Sequence, residues 1–169
     1  MIRIANRQRR IPLRVETYRT LAEKVLHALG QPDAEISLSF ISDRRIQSLN
    51  RIYRGKDQPT DVLAFSLAYS KPVKVKKNVD QSPPPFLGDV VISVPTARRQ
   101  ARERRHGLRR EIARLMIHGI LHLLSYDHEK PADARRMRRK ESALLRELSG
   151  ALPLRADGAP RLRPPAYVT

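Results

Sequence analysis

Cysteine and tryptophan are absent, and aromatic residues make up only 5% of the chain. Without cysteine there is no disulfide framework and no thiolate metal site. With so few aromatics the core must be mainly aliphatic. No stretch approaches the ~18 consecutive apolar residues of a membrane span, and the N-terminus has no signal-peptide apolar core. Acidic residues are also short: 17 against 34 basic ones, a net charge of +17 on 169 residues. Such an excess points to a polyanionic partner, nucleic acid before an anionic membrane surface. Arginine outnumbers lysine 26 to 8, and arginine grips phosphate bidentately. The missing cysteines fit a reducing, cytoplasmic setting. The length and a 40% hydrophobic content suit one domain with a real core.

The most informative stretch is Ile117 to His128, which holds three of the five histidines. His118 and His122 are four apart, so on a helix both rings leave one face, ~6 Å apart along the axis. His128 joins them only if the chain leaves the helix after Leu124 and bends back through Ser125-Tyr126-Asp127. Two histidines at this spacing on an apolar helix are, alone, ordinary helix residues; the third shifts the reading to a metal site. Three neutral nitrogens at ~2.0–2.1 Å leave the fourth position of tetrahedral Zn²⁺ open, which favours a reactive metal over a structural one. The spacing His-x₃-His-x₅-His is also that of the extended zinc-protease motif, which needs a Glu after the first His as general base. Gly119 stands there, so peptide hydrolysis ranks low. That motif has glycine at its bend; here it is Ser125, for which a positive φ is costly. Either the bend is built differently or the site carries strain. Asp127 either orients a ligand imidazole or faces solvent in the turn, the reading favoured here.

In chain order, Ile2–Ala5 reads as a strand and Arg7–Arg10 as a basic turn. Val15, Tyr18, Ala22, Val25, Leu26 and Leu29 mark a helix over 13–29, stopped by Gly30. His27 lies on its rim. Glu35–Ile41 alternates as a half-buried strand. Ser42-Asp43 caps a short helix through Asn50. A loop from Tyr53 to Asp61 leads into a buried strand over 62–67. Arg54 opens that loop, either as a surface arginine or as a phosphate clamp. Residues 70–86, with four lysines and four prolines, read as a mobile loop or a tolerated insertion. Leu87–Val94 is the fourth strand, with Gly88 suited to a bulge or close backbone approach. Thr96 caps a helix to about Arg105, where Arg98, Arg102, Arg105 and then Arg109 form a stripe that could track a phosphate backbone. His106 precedes Gly107, read as the helix stop. The site helix, 108–124, buries Ile112, Leu115, Met116, Gly119 and Leu123. Pro131 and Asp133 start the last helix, with Met137, Leu144 and Leu148 inward and Arg135, Arg136, Arg138 and Arg139 mainly outward. Residues 150–169 read as a disordered basic tail, and 1–149 as the one domain. The expected fold is α+β: a mixed four-stranded sheet packed against about five helices, with a zinc site at the end of a central helix.

The run His-Gly-x-Leu-His-Leu-x-x-Tyr-Asp-His closely resembles the signature of the YbeY family of metal-dependent endoribonucleases, which act in rRNA maturation. Leu49–Asp57, Pro59–Phe65 and Leu87–Ser93 also look like that family, and Met137 and Glu141 fall where it has them. The resemblance runs from about Ile36 to Leu148. Two departures are visible: Ser125 for the family's glycine and Ala64 for its serine.

From the residues alone, a histidine triad and strong positive charge make a zinc hydrolase acting on phosphodiesters, with His118, His122 and His128 holding one Zn²⁺ per chain. The resemblance implies a single-strand-acting endoribonuclease that matures the 3′ end of small-subunit ribosomal RNA and serves ribosome quality control. It also raises Arg54, because the family carries a functional arginine at this motif position. The expected partners are ribosomal RNA or the small ribosomal subunit, with ribosomal proteins or an assembly GTPase as further candidates, and no membrane. The rival reading is a non-catalytic assembly factor that uses zinc to hold its fold.

Overall fold

The computed structural model describes residues 1–67, 84–126 and 130–151. The 70–85 part of the expected loop (apart from 84 and 85), the proposed ligand His128, its neighbour Asp127 and the tail from 152 lie outside the described residues. The elements run β1 (Ile2–Asn6), α1 (Val15–Ala28), β2 (Glu35–Ile41), α2 (Asp43–Arg54), β3 (Val62–Ser66), β4 (Phe86–Ser93), α3 (Val94–Glu103), α4 (Leu108–Leu123) and α5 (Pro131–Ala151). The four strands form one mixed sheet in the order β1-β2-β4-β3. β1 and β4 pair parallel to β2, while β3 runs antiparallel to β4 along the edge. This is the expected α+β domain, a mixed four-stranded sheet with five helices.

The sheet is covered on both faces, and the strand alternation assigns the sides. Ile36, Leu38, Phe40, Val90 and Ile92 face the main core with Tyr18, Leu21, Val25, Ile112, Leu115 and Met116 from α1 and α4. Ile41, Leu63 and Val91 face the other way, onto Ile46 of α2. α4 is the central helix. Its residues 111–113, 115–117, 119–121 and 123 are all buried, because the sheet, α1, α3 and α5 each pack against it. Gly119 permits a close approach of α4 to the sheet: a Cβ there would stand 2.6 Å from Val90 Cγ1.

Gly88 behaves as its position suggests. Leu87 is left over where Glu35 pairs with Phe86 and Ile36 with Gly88, which is a bulge. Gly88 has φ 138°, and a Cβ would fall 2.0 Å from the Phe65 carbonyl oxygen.

Several boundaries differ from the sequence reading. α2 continues past Asn50 to Arg54, so Arg54 is the last helical residue and not the start of the loop; Gly55, at φ 68°, ends the helix. α3 is capped by Ser93, whose hydroxyl accepts from the Thr96 amide, and not by Thr96. Gly107 is not the stop of α3. It is the N-cap of α4, with φ −73°. The left-handed residue is Arg105, at φ 55°. There the Arg105 amide donates to Arg102 O and the His106 amide to Ala101 O. That is a Schellman ending, built on an arginine. The arginine stripe is broken at the same point. Arg109 does not continue it but turns toward α1, donating to Thr17 Oγ1 at 3.3 Å.

Candidate functional site

Within 111–123 of α4, only Arg114, His118 and His122 are not buried. They are spaced four apart, so they form one narrow polar line on a helix that is otherwise core. His118 Nε2 and His122 Nε2 stand 3.2 Å apart, with ring centroids 4.7 Å apart. Two nitrogens ~2.0–2.1 Å from one tetrahedral ion would be about 3.3 Å apart. The pair therefore has the separation of two ligands sharing a metal.

The far side of His118 is also fixed. Glu141 of α5 places Oε2 3.0 Å from His118 Nδ1. With the Nδ1 hydrogen donated to that carboxylate, the lone pair of His118 is left on Nε2, facing His122. Arg114 holds the other oxygen, with Nη1 3.5 Å from Glu141 Oε1. Arg114 is itself anchored by Glu111, with Nη2 2.6 Å from Oε1, and lies 4.0 Å from Asp61. Burial pushes the Arg114 guanidinium down, but the hydrogen bond and charge of Glu111, then the charges of Glu141 and Asp61, outweigh it and hold it above its ordinary value.

Glu111 is fully buried and carries three positive or protonatable neighbours: Arg104, Arg114 and His106. His106 Nε2 is 3.0 Å from Oε2, an ion-pair contact without hydrogen-bond geometry. The sequence reading passed over Glu111 and Arg114. The signal for Arg114 was present, four residues before His118.

α4 ends in a left-handed turn. Ser125 has φ 62°. Its amide donates to His122 O and the Tyr126 amide to Leu121 O, each at 3.0 Å. This second Schellman ending closes α4 at Leu124, two residues after His122. The bend therefore keeps the left-handed geometry a glycine would favour, and the serine bears the strain.

The Arg54 side chain is exposed and makes no hydrogen bond or ion pair among the described residues. α2 lies across the sheet from α4, yet both helices end at one end of β3. Tyr53 packs edge-on to Phe65 at 4.9 Å, and Ser66 donates to Leu123 O at 3.1 Å. Arg54 thus stands at the same end of the edge strand as the histidines, without touching them. Among the described residues no cluster of three metal-donor side chains occurs. His118 and His122 are brought together, and the third proposed donor is His128.

A profile of the endoribonuclease YbeY family matches residues 3–149. The chain belongs to the YbeY family.

Relatives named Endoribonuclease YbeY include one from Anaeromyxobacter sp. (strain Fw109-5), 53% identical over 131 residues. That match covers 76% of this chain and 62% of the relative, so the chain spans under two thirds of its length. A second, from Alkaliphilus metalliredigens, is 41% identical over 149 residues, covering 86% of this chain and 93% of the relative. The fold is similar to a solution structure of a Thermotoga maritima protein, at 28% identity and TM-score 0.64, covering 96% of this chain and all of that one. Among the described residues no helix is long and apolar enough to cross a membrane.

Proposed function

We propose that this YbeY-family chain is a zinc-dependent endoribonuclease that cuts single-stranded RNA, matures the 3′ end of small-subunit ribosomal RNA and acts in ribosome quality control in the cytoplasm. The observation that carries the reading is the pair of Nε2 atoms 3.2 Å apart, with His118 Nδ1 held by Glu141. His118, His122 and His128 would hold one Zn²⁺, whose contribution is Lewis acidity toward the phosphodiester. Burial of α4 on nearly every side fixes where the two imidazoles leave the helix, and Glu141 fixes which nitrogen of His118 is free to bind. Arg54 would neutralise charge developing on the phosphate. Gly119 supplies no base, and its Cα faces Val90 in the sheet, so a carboxylate at that position would point into the core and not at the site. The attacking group is either water or the RNA's own 2′-hydroxyl. The net charge of +17 draws the substrate, ribosomal RNA on the small subunit.

The test is cleavage of a precursor small-subunit rRNA fragment by protein stripped with a chelator and then reloaded with zinc. Cutting should vanish on stripping and return on reloading, and the new ends identify the attacking group: a cyclic phosphate marks 2′-hydroxyl attack. Folded, RNA-bound protein that leaves the fragment intact at every metal loading would instead support the non-catalytic assembly factor.

A further inference from the structure

A second feature lies on the face of α5 turned away from Glu141. α5 and the turn after α4 enclose a concavity of about 430 Å³, lined by Tyr126, Arg135, Arg136, Arg139 and Lys140. Ala132 and Ala143 stand at its two ends, where small side chains leave it open. A neighbouring hollow of about 300 Å³ shares Tyr126 and Arg136 and includes Ser125 and Asp133.

Cations without a carboxylate partner occur elsewhere on the surface, Arg54 among them, but here four of them share one hollow. Arg3, Arg19, Arg99, Arg104 and Arg114 each have a carboxylate partner. None of the four cations of this concavity forms an ion pair among the described residues. Asp133, one turn from Arg136 in the neighbouring hollow, does not pair with it either. Four like charges converging on one hollow repel one another, and an anion relieves that repulsion. The helix sets their order. Arg135, Arg136, Arg139 and Lys140 lie on one stripe of α5, ~7 Å from end to end along its axis.

The second element is aromatic. The Arg136 guanidinium lies 5.6 Å from the centre of the Tyr126 ring, a cation–π pair. Tyr126 is held from behind by the core, and its amide completes the Schellman ending of α4. A fixed aromatic ring capped by a guanidinium plane, beside a row of unpaired cations, is a platform for an unstacked base next to its phosphates. A duplex would keep its bases stacked inside and could not use it.

We infer that the concavity between the Leu124–Tyr126 turn and α5 is a single-stranded RNA subsite, where Arg136, Arg139 and Lys140 take successive phosphates and the Tyr126–Arg136 pair stacks a base. This rests on the proposed RNA substrate but needs no cleavage.

The test is equilibrium binding, by fluorescence anisotropy, of a labelled single-stranded RNA dodecamer to the full chain over a range of salt. Arg136→Gln/Arg139→Gln is compared with Arg98→Gln/Arg102→Gln on α3, where both arginines are exposed and the charge change is the same. All four side chains are exposed, so both variants keep the fold; melting temperatures verify this. The α5 pair should weaken binding by tenfold or more and flatten the log–log salt slope by about 1.4, the contribution of two phosphate contacts on a single strand. The α3 pair should weaken binding less than threefold. Equal losses in the two variants would reduce the effect to net charge and overturn the subsite. So would a duplex of the same length binding as tightly as the single strand. Binding that depends on the α5 pair in protein that never cuts would sink the nuclease and keep the subsite. Cutting and binding indifferent to the α5 pair would do the reverse.

Discussion

Glu141 Oε2 lies 3.0 Å from His118 Nδ1, and the carboxylate's other oxygen lies 3.5 Å from Arg114 Nη1. The carboxylate thus joins a histidine of the proposed metal pair to a guanidinium that is anchored on buried Glu111. Glu141→Gln removes the charge that orients His118. It should weaken zinc binding by tenfold to a hundredfold, measured by competition with a chromophoric chelator. Unchanged affinity would mean that His118 needs no support from α5.

Ser125 sits at φ 62°, where an L-residue with a Cβ is strained by about 1–2 kcal/mol. Ser125→Gly relieves that strain but loosens the unfolded chain. The net expectation is a gain of about 0.5–1 kcal/mol in unfolding free energy, read from denaturant titration. Arg105→Gly, at φ 55°, should act in the same direction. A loss at Ser125 would show that the bend is not left-handed.

Gly119→Ala tests the packing of α4 on the sheet. Alanine is the better helix former by about 1 kcal/mol, yet its Cβ would meet Val90 Cγ1 at 2.6 Å. Overpacking costs about 1–3 kcal/mol, so net destabilisation is expected. Adding Val90→Ala should recover part of the loss from Gly119→Ala, and additive losses in the double variant would argue against the contact.

Asp43 gives a pH-dependent test of the contact between α2 and α3. Burial would raise its carboxyl, but hydrogen bonds from Ser93, Arg99 and Thr96 and the charge of Arg99 outweigh this and hold it below its ordinary value. A depressed folded-state pKa adds stability above the unfolded value of about 3.9, and that stability is lost as pH falls through the folded value. Asp43→Asn should therefore cost about 1–2 kcal/mol at pH 7. The gap to wild type should close as pH falls through that depressed folded-state value. A gap that persists at low pH would mean that shape, not charge, holds this contact.

Much of this architecture was legible because the pattern is strong. Alternation in Glu35–Ile41 and the apolar run at 62–66 marked the strands, and the four-residue spacing of His118 and His122 marked the site. Helix ends were read less well wherever they departed from glycine. Gly30 was recognised, because it supplies the left-handed residue of its own Schellman ending. Arg105 makes the same ending without glycine and local sequence gives no sign of it, whereas at Ser125 the spacing of the histidines already marked the helix exit and the costly bend. Arg54 was placed in a loop because its helix contains few apolar residues, while Ile46 alone anchors the inner face by full burial. Glu111 was passed over for a different reason. One acid among many arginines looks like a solvated surface partner until the fold removes it from water.

The most direct measurement of the central claim is cleavage of a single-stranded precursor rRNA fragment by zinc-loaded wild type beside His118→Ala and His122→Ala, all purified identically. Each variant must first be shown to fold and to bind the RNA. The account predicts that wild type cuts and that neither variant does, since each loses one of two nitrogens 3.2 Å apart. Equal cutting by all three would assign the activity to a contaminant or another site, and would contradict a catalytic histidine pair.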